Sequence, residues 1–320
     1  MSNHSQEKST SQLRINRDDK IFPMPKVAIL GSSGMLGSAL TKVINEKDWE
    51  LTEFNRAGTS ITGKNKTKKF DVLNDNLFEM LHESNFDFIV NAVGIIRQLI
   101  NKESSEDIEL AHKVNFEFSK SLNDFSKQSK VRIIQIGTDC VFSGTAGSYK
   151  ETDPFGPTDV YGATKVLGEL ASTESMIIRT SIIGKENFRT ASLLDWIISR
   201  PEGGTVQGYV NHLWNGVTTL HFARVVSGII DNSSFIQGTF HLVPEDKVSK
   251  LDLIKEVAHR FGRNDLNIIE FKTDQSVDLT LSTVNLETNH RFWQQGGYNE
   301  PPTIKKMVSE FAEWINKTVD

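Results

Sequence analysis

The chain has 320 residues and a formal net charge of -5, which gives no basic field for nucleic acid and no polybasic patch for a membrane surface. Hydrophobic residues make up 38% and charged residues 24%, as in ordinary globular proteins with a buried core. The single cysteine, Cys140, excludes an internal disulfide, and no apolar run approaches the roughly 20 residues that cross a bilayer. We therefore expect a cytoplasmic protein without nucleic-acid or membrane partners, and a disordered polar tail over residues 1–25.

The first predicted strand, Lys26–Leu30, is followed by a glycine-rich turn and an amphipathic helix. The turn reads GSSGMLG, with glycines at positions 31, 34 and 37. Glycines let the backbone approach a pyrophosphate, and a helix N-terminus supplies free N–H groups to it. An ordinary glycine-rich turn has the same pattern, but the position at the start of a βα unit favours a dinucleotide site.

The second predicted strand, residues 49–55, decides which dinucleotide is favoured. A carboxylate at the tip of this strand would bind a ribose 2′-hydroxyl, whereas an arginine accommodates a 2′-phosphate. Here the strand ends in Asn55-Arg56, and Glu53 lies two residues earlier and is expected to point elsewhere. The pattern favours NADP(H), with NAD(H) as the alternative.

Helices and strands then alternate. We predict a loop for the basic run 64–69, strands at 69–73, 86–91, 133–136 and 175–183, and helices at 76–83, 106–127 and around Tyr161. Alternation of this kind predicts an α/β fold, a doubly wound parallel, Rossmann-like sheet over residues 26–183. Residues 184–320 are less regular and predict a smaller mixed α/β C-terminal substrate domain, with 217–243 returning to the first domain. Its predicted helices are 191–199, 220–231, 249–261 and 303–317, and its strands 238–243, 267–271 and 279–282.

Small residues follow the strand at 86–91. Asn91-Ala92-Val93-Gly94 stands at the carboxyl end of that strand, where open α/β sheets bind ligands, and Arg97 could reach an anionic ligand nearby. Within the long helix after it, Asn115 is expected to be solvated, or else to relay protons toward Lys165.

Tyr161 and Lys165 are four residues apart on one helix, so their side chains lie on the same face. An ammonium beside a phenol favours the phenolate, so Lys165 is expected to lower the pKa of Tyr161. A phenol tuned in this way can exchange a proton with a carbonyl or alcohol oxygen, and Thr138 at a strand end could hydrogen-bond the same oxygen. The spacing alone is weak evidence, but its combination with the nucleotide turn predicts a dehydrogenase-type site.

These motifs together resemble the extended short-chain dehydrogenases/reductases. The stretches GTDCVFSG, YKETDPFGPTDVYGATKVLGE and Arg179-Thr180-Ser181 are similar to the dTDP-4-dehydrorhamnose reductase group, over residues 26–190. The resemblance implies an oxidoreductase of deoxysugar and polysaccharide biosynthesis, which moves a hydride between nicotinamide and C4 of a 4-keto-6-deoxy sugar on a nucleoside diphosphate. It also implies a homodimer through the helix at 106–127 and the Tyr161 helix.

The resemblance assigns roles to individual residues. Tyr161 would give its proton to the sugar oxygen, Lys165 would bind the nicotinamide ribose, and Thr138 would orient the carbonyl. Further residues are implied along the cofactor: Gly31, Ser33, Gly34, Met35 and Leu36 at the pyrophosphate, Arg56 at the 2′-phosphate, Asp71 and Val72 at the adenine, and Asn91, Ala92, Val93 and Gly94 at the adjoining ribose. Scattered histidines predict no metal site.

Two departures from the group keep alternatives open. Cys140 stands where the group commonly carries tyrosine, and the related GDP-fucose synthases use a cysteine at this spacing as an acid/base during epimerisation. Those enzymes also use a histidine in a segment that contains none here, so a buried small residue is favoured over an epimerase role. The loop 208–219 matches poorly. The candidates for substrate contact are Arg97, Asp139, Cys140, Asn211, Trp214, Asn215 and Thr218.

Two other functions occur on the same fold. A dehydratase typically has a glutamate after Asp139, and this chain has none. A non-catalytic nucleotide-binding regulatory subunit usually loses the tyrosine or the lysine, and this chain keeps Tyr161 and Lys165.

Overall fold

The structure is a computed structural model that describes residues 13–15, 21–82, 85–188 and 190–318. The expected disordered tail, residues 1–25, lies largely outside the described residues. Within it, strands β1 (Leu13–Ile15) and β2 (Ile21–Pro23) form an antiparallel pair.

The other described elements follow in chain order. The strands are β3 (Lys26–Leu30), β4 (Glu50–Asn55), β5 (Lys66–Lys69), β6 (Phe88–Asn91), β7 (Arg132–Ile136), β8 (Met176–Arg179), β9 (Ile182–Ile183), β10 (Thr205–Tyr209), β11 (His212–Trp214), β12 (Val217–Thr218), β13 (Gly238–His241), β14 (Val248–Ser249), β15 (Asn267–Phe271) and β16 (Val277–Asp278). The α-helices are α1 (Met35–Ile44), α2 (Leu77–His82), α3 (Ser105–His112), α4 (Phe118–Ser129), α5 (Val160–Ala171), α6 (Leu193–Ile198), α7 (Thr219–Asp231), α8 (Lys250–Arg260), α9 (Leu286–Gln295) and α10 (Ile304–Thr318).

Seven of the described strands form one parallel sheet in the order β13-β8-β7-β6-β3-β4-β5. The chain enters at β3, moves outward to β5, and then returns to β6 on the other side of β3. Strand order therefore reverses between β3 and β6, and open α/β sheets bind ligands at such a reversal. The predicted doubly wound parallel sheet is confirmed.

After Lys26, the central strand β3 is apolar because both faces of the sheet are covered. Alternate residues point to opposite faces: Val27 and Ile29 join the larger core, and Ala28 and Leu30 join the smaller one. Residues of α1, α7, α8, α9 and α10 fill the larger core, whereas α2 and α4 cover the smaller.

The C-terminal part is divided between the sheet and a smaller layer. Strand β13 extends the main sheet beside β8, helix α7 packs against α1, and β12 pairs with β9. The small layer consists of the sheet β14-β11-β16 and the parallel pair β10–β15, with α8 packed against β10 and α6.

The predicted loop at residues 64–69 is wrong, because this segment contains the edge strand of the main sheet. The basic run forms β5 (Lys66–Lys69), where we expected a loop, and the strand expected at 69–73 is absent because Asp71 begins a turn. Strand β5 lies at the sheet edge, where lysine side chains can stay in solvent and protect the edge from other chains. The basic composition that resembled a solvated loop is thus that of an edge strand.

Three further elements differ from the sequence-based expectation. The helix expected at 106–127 runs from α3 to α4 through a π-helical segment, Lys113–Glu117. Helix α9 was missed because its sequence, LETNHRFWQQ, is polar except for a few residues such as the buried Phe292 and Trp293. The strand expected at 279–282 is instead β16, and Leu281 forms only a single bridge, with Tyr149.

Candidate active site

The glycine-rich turn joins β3 to α1 at the point where strand order reverses. Gly31 has a φ of +79°, which favours glycine, and its N–H donates to the Phe54 carbonyl at 2.8 Å. A Cβ at Gly37 would collide with the Gly31 carbonyl. Helix α1 begins after Gly34 without a side-chain cap, so the first N–H groups of α1 keep their capacity for an anionic ligand. The proposed pyrophosphate residues, Ser33, Met35 and Leu36 among them, lie in this turn.

At the end of β4, Glu53 is buried and hydrogen-bonded, whereas Arg56 is exposed. The buried Glu53 carboxylate accepts hydrogen bonds from Ser60 Oγ at 2.6 Å and from the Ile61 N–H at 2.9 Å. It is therefore committed to its own loop. Asn55 donates to Ser32 Oγ at 2.8 Å and ties the strand end to the glycine turn. Arg56 is exposed beyond it, with no partner for its guanidinium among the described residues.

The next two strand ends bring the other expected cofactor residues to the same edge. Asp71 and Val72 are half-buried just after β5, and the Asp71 carboxylate accepts from the Leu73 N–H at 3.1 Å. After β6, the Asn91 carboxamide accepts from the Val93 N–H at 3.1 Å. The Ala92 carbonyl is among the nearest neighbours that a Cβ at Gly31 would meet, at 3.1 Å.

Asn115 corrects the expectation of a solvated helix residue. It is buried in the π-helical segment, where its amide donates to the Ile95 carbonyl and to Thr164 Oγ1, both at 3.1 Å. Its carbonyl oxygen accepts from the Ile95 N–H at 3.0 Å, close to Gly94. Asn115 therefore joins the loop after β6 to α5, and no hydrogen bond with Lys165 is found among the described residues.

Thr138, Tyr161 and Lys165 converge at the carboxyl end of β7. Thr138 lies two residues beyond the strand, close enough to the Tyr161 hydroxyl to lower the pKa of Tyr161. The Lys165 ammonium is buried and donates to the Ile136 carbonyl at 2.8 Å. A phenol, a hydroxyl and an ammonium thus face one end of the sheet.

The expectation that Lys165 lowers the pKa of Tyr161 is not met. Burial raises the pKa of Tyr161 above its ordinary value, and the neighbouring Cys140 adds to the rise. Burial also lowers the pKa of Lys165, partly offset by Glu169. The ammonium contacts a backbone carbonyl instead of the phenol, and desolvation dominates both groups.

A buried ion pair lies behind Lys165. Arg179 Nε donates to Glu169 Oε2 at 2.8 Å, and both side chains are almost fully buried. A Cβ at Gly137 would meet Arg179 Cγ at 2.6 Å, so only glycine fits between this pair and Thr138. Arg179 Nη1 also lies 3.3 Å from His241 Nε2, within hydrogen-bond distance. The pair therefore joins α5 to β8 directly beneath the strand end.

Arg97 forms an ion pair with Asp159, the residue that caps α5. The second carboxylate oxygen of Asp159 accepts from the Gly162 N–H at 2.8 Å. The Arg97 side chain is half-exposed and its charge lowers the pKa of Cys140 and of Tyr161, so it borders the candidate site.

Asp139 and Cys140 form the loop directly after Thr138. The Asp139 carboxylate accepts from Thr138 Oγ1 at 3.1 Å and from Cys140 Sγ at 3.5 Å. Burial, followed by the Asp139 charge, raises the pKa of Cys140 to about 12. The thiol therefore stays protonated near neutral pH, which agrees with a buried small residue and disfavours a proton-abstracting base.

Of the four residues in the loop 208–219 that we expected to contact substrate, three have polar groups that are hydrogen-bonded within the fold. The Asn211 amide donates to the Thr273 carbonyl at 2.9 Å, and the Asn215 amide to the Leu281 carbonyl at 2.7 Å. Thr218 is buried and caps α7. This corrects the expectation that these polar groups face a ligand, because buried amides and hydroxyls need their own partners. The fourth residue, Trp214, has its ring 5.3 Å from Lys250 Nζ.

Lys250 was missed by the sequence analysis. The charge of Asp139 acts on its ammonium, so it lies opposite the loop that follows Thr138. Burial lowers its pKa to about 8, against the attraction of that carboxylate. It is 89 residues beyond Tyr161 in the chain and belongs to no motif. The described residues contain no cluster of three or more metal-ligating side chains.

The chain matches a known protein family, and it is similar in sequence to several named proteins. The family described as "RmlD substrate binding domain" matches residues 25–313. A dTDP-4-dehydrorhamnose reductase of Streptomyces griseus is 29% identical over 166 residues, 50% of this chain and 50% of that protein. A second dTDP-4-dehydrorhamnose reductase, from Aggregatibacter actinomycetemcomitans, is 26% identical over 238 residues, which are 72% of this chain and 76% of that protein. Methionine adenosyltransferase 2 subunit beta of Pongo abelii is 23% identical over 265 residues, 78% and 76%.

Solved structures share the fold. The Bacillus anthracis dTDP-4-dehydrorhamnose reductase in complex with NADP superposes with a TM-score of 0.72 at 18% identity, covering 92% of this chain and 99% of that one. MoeE5 in complex with UDP-glucose and NAD gives 0.70 at 16% identity, with coverages of 92% and 100%. In the described part of this chain, no helix combines the length and the apolar character that crossing a bilayer requires.

Proposed function

Because the chain belongs to the RmlD substrate binding domain family, we propose that it is an NADPH-dependent reductase of a nucleotide-activated 4-keto-6-deoxy sugar. The resemblance to the dTDP-4-dehydrorhamnose reductase group is confirmed by the relatives of that name. The chain is an oxidoreductase that uses NAD(P), with NADP(H) favoured and NAD(H) possible. The observation that carries the proposal is the convergence of Thr138, Tyr161 and Lys165 at one strand end beside the switch point of the sheet.

The residues around the switch point fit a dinucleotide. The glycine turn has no room for side chains at Gly31 and Gly37, and the uncapped start of α1 offers N–H groups to a pyrophosphate. Glu53 is held by its own loop, and Arg56, which has no partner among the described residues, is available at the strand tip for a 2′-phosphate. When bound, NADPH supplies the hydride for reduction of the carbonyl.

The protein supplies the proton and the orientation. The raised pKa of Tyr161 keeps its phenol protonated near neutral pH, the form that can give a proton to the carbonyl oxygen as the hydride arrives. The Thr138 hydroxyl, which donates to the Asp139 carboxylate in this structure, would turn its proton to that oxygen and orient it. Lys165, held by the Ile136 carbonyl, brings a positive charge that stabilises negative charge developing near Tyr161.

The test measures turnover directly. Purified protein is mixed with NADPH and a panel of nucleotide-linked 4-keto-6-deoxy sugars, and oxidation of NADPH is followed by absorbance. Tyr161→Phe removes only the hydroxyl, so we expect unchanged NADPH affinity and a loss of turnover of at least about 100-fold. Wild-type turnover in this variant would rule out Tyr161 as the proton donor.

A second candidate function is a nucleotide-binding regulatory subunit. One observation favours it: the similarity to Methionine adenosyltransferase 2 subunit beta covers 78% of this chain. Retention of Tyr161 and Lys165 favours the reductase. If the wild-type protein binds NADPH but oxidises it with no member of the panel, the second candidate replaces the first.

A further inference from the structure

Lys250 is the first residue of α8 and projects toward the loop that carries Thr138. Its ammonium lies 5.3 Å from the centroid of the Trp214 ring, and Trp214 is buried, so the aromatic face is fixed in place. The charge of the Asp139 carboxylate also acts on this ammonium. The lysine therefore joins the C-terminal layer to the edge of the candidate active site.

A charged lysine is electrostatically unfavourable at this position. The N-terminal end of a helix carries partial positive charge, which repels an ammonium. Burial removes solvent from the same group and lowers its pKa to about 8. Among the described residues, no carboxylate lies within ion-pair distance of Lys250, and no hydrogen bond holds its ammonium. A residue that only filled space here would be more favourable without the charge.

The neighbouring groups in the described part of the chain do not contact this ammonium directly. The Asp139 carboxylate attracts it but accepts its hydrogen bonds from Thr138 Oγ1 and Cys140 Sγ. The pKa of His212 on β11 is lowered by burial and then by Lys250, so His212 stays neutral. The cations Arg97 and Arg179, in contrast, are each paired with a carboxylate. In the described part of the chain, Lys250 thus keeps all of its N–H donors for an anionic partner, whereas Lys165 already donates to the Ile136 carbonyl.

We propose that Lys250 binds an anionic oxygen of the substrate, and that this contact helps to determine which nucleotide sugars the site accepts. The anionic oxygen belongs either to the diphosphate or to a carboxylate on the sugar. The inference rests on the proposed function, because a nucleotide sugar is the ligand it takes. Trp214 contributes a fixed aromatic face beside the ammonium, suited to an apolar face of the same ligand.

The experiment compares Lys250→Met and Lys250→Arg with the wild-type protein, each loaded with NADP⁺. Affinities for the glucose and glucuronate conjugates of UDP and of dTDP are measured by calorimetry. If Lys250 binds the diphosphate, Lys250→Met lowers the affinity for the glucose and the glucuronate conjugates alike, by about tenfold or more. If Lys250 binds a carboxylate, only the affinity for the glucuronate conjugates falls. Lys250→Arg keeps most of the affinity. Equal affinities of Lys250→Met and wild type for both conjugates would overturn the proposal.

A pH series provides a second readout. The diphosphate of a glucose conjugate does not titrate between pH 7 and pH 9, whereas Lys250 loses its proton around its pKa of about 8. If Lys250 binds the diphosphate, the affinity of the wild-type protein for all conjugates falls by up to about tenfold over this range, and the affinity of Lys250→Arg does not fall. If Lys250 binds a carboxylate, only the affinity for the glucuronate conjugates falls. The described ionisable groups that face Lys250 are Asp139, Cys140 and His212. A pH-independent wild-type affinity for both conjugates would contradict the proposal.

Controls separate this proposal from the proposed function. Lys255→Met removes an exposed lysine from the same helix and should leave every affinity unchanged. NADP⁺ binding should be equal in all variants, because Lys250 lies away from the glycine turn. Wild-type protein that turns over no member of the 4-keto-6-deoxy sugar panel would overturn the proposed function, whereas wild-type binding of the conjugates that Lys250→Met does not change overturns only the role of Lys250.

Discussion

Lys165 donates to the Ile136 carbonyl at 2.8 Å, so the backbone of β7 holds the lysine in place and Tyr161 does not. The sequence spacing correctly puts both side chains on one face of α5. The charge interaction between them, however, depends on how each is buried and on the direction in which the lysine extends. Burial raises the pKa of one group and lowers that of the other, and neither shift could be inferred from spacing.

Arg56 is a residue whose role can be tested alone. We expect Arg56→Ala to weaken NADPH by about 10-fold to 100-fold, because a charge-assisted hydrogen bond to the 2′-phosphate is lost, and to leave NADH almost unaffected. Fluorescence titration with each cofactor measures this. Lys64→Ala, an exposed change in the same loop, is the matched control. Equal loss for both cofactors would contradict a 2′-phosphate contact.

At the scale of elements, α5 is fixed at both ends. Asp159 caps its first turn and forms an ion pair with Arg97, while Glu169 in its last turn binds Arg179 on β8. Tyr161 and Lys165 lie between these two anchors. Because the helix cannot shift along the sheet without breaking a buried pair, their positions relative to Thr138 are maintained.

The anchor at the end of α5 gives a stability prediction. Glu169→Ala leaves the buried Arg179 without its carboxylate, and we expect the free energy of unfolding to fall by about 3–5 kcal/mol. The double variant Glu169→Met/Arg179→Met removes both charges and should recover most of that loss. Urea unfolding of the two variants and the wild type makes the comparison. A double variant less stable than Glu169→Ala would show that the pair is net stabilising and would contradict this account.

At the scale of the whole molecule, apolar side chains remain exposed on α3 and α5. Ile108 on α3 is 37% exposed, and Leu167 and Leu170 on α5 are 40% and 60% exposed. These are the helices through which the family resemblance suggests a homodimer. The quaternary state stays a prediction, and these residues are where a second copy of the chain would bury apolar surface.

The homodimer can be tested with one substitution. Leu170→Glu puts a charge into the expected interface, and we expect it to convert a dimer into a monomer. Leu286→Glu, on the exposed side of α9, changes a residue that is 73% exposed and should leave the mass unchanged. Light scattering during size-exclusion chromatography reports the mass of each. A monomeric wild type, or a dimer that survives Leu170→Glu, would contradict this interface.

The sequence by itself determined the α/β class with its parallel sheet, the glycine turn after the strand Lys26–Leu30, and the residues that converge at the end of β7. These features depend on local patterns: apolar runs of strand length, a glycine turn that needs a positive φ at Gly31, and helical spacing between Tyr161 and Lys165. Local patterns failed where tertiary position decides composition. The lysine-rich β5 resembles a loop because it is an edge strand, and α9 is polar because only one narrow face is buried.

Only the tertiary structure decided which polar groups are free to act. Asn211, Asn215 and Thr218 are plausible ligand contacts in the sequence, but distant backbone groups and a helix N-terminus already occupy them. Lys250 belongs to no motif, and it reaches the candidate site because α8 begins directly after β14, which pairs with the strand that carries Trp214. Hydrogen-bond satisfaction and burial depend on contacts between residues far apart in the chain, so a single sequence does not reveal them.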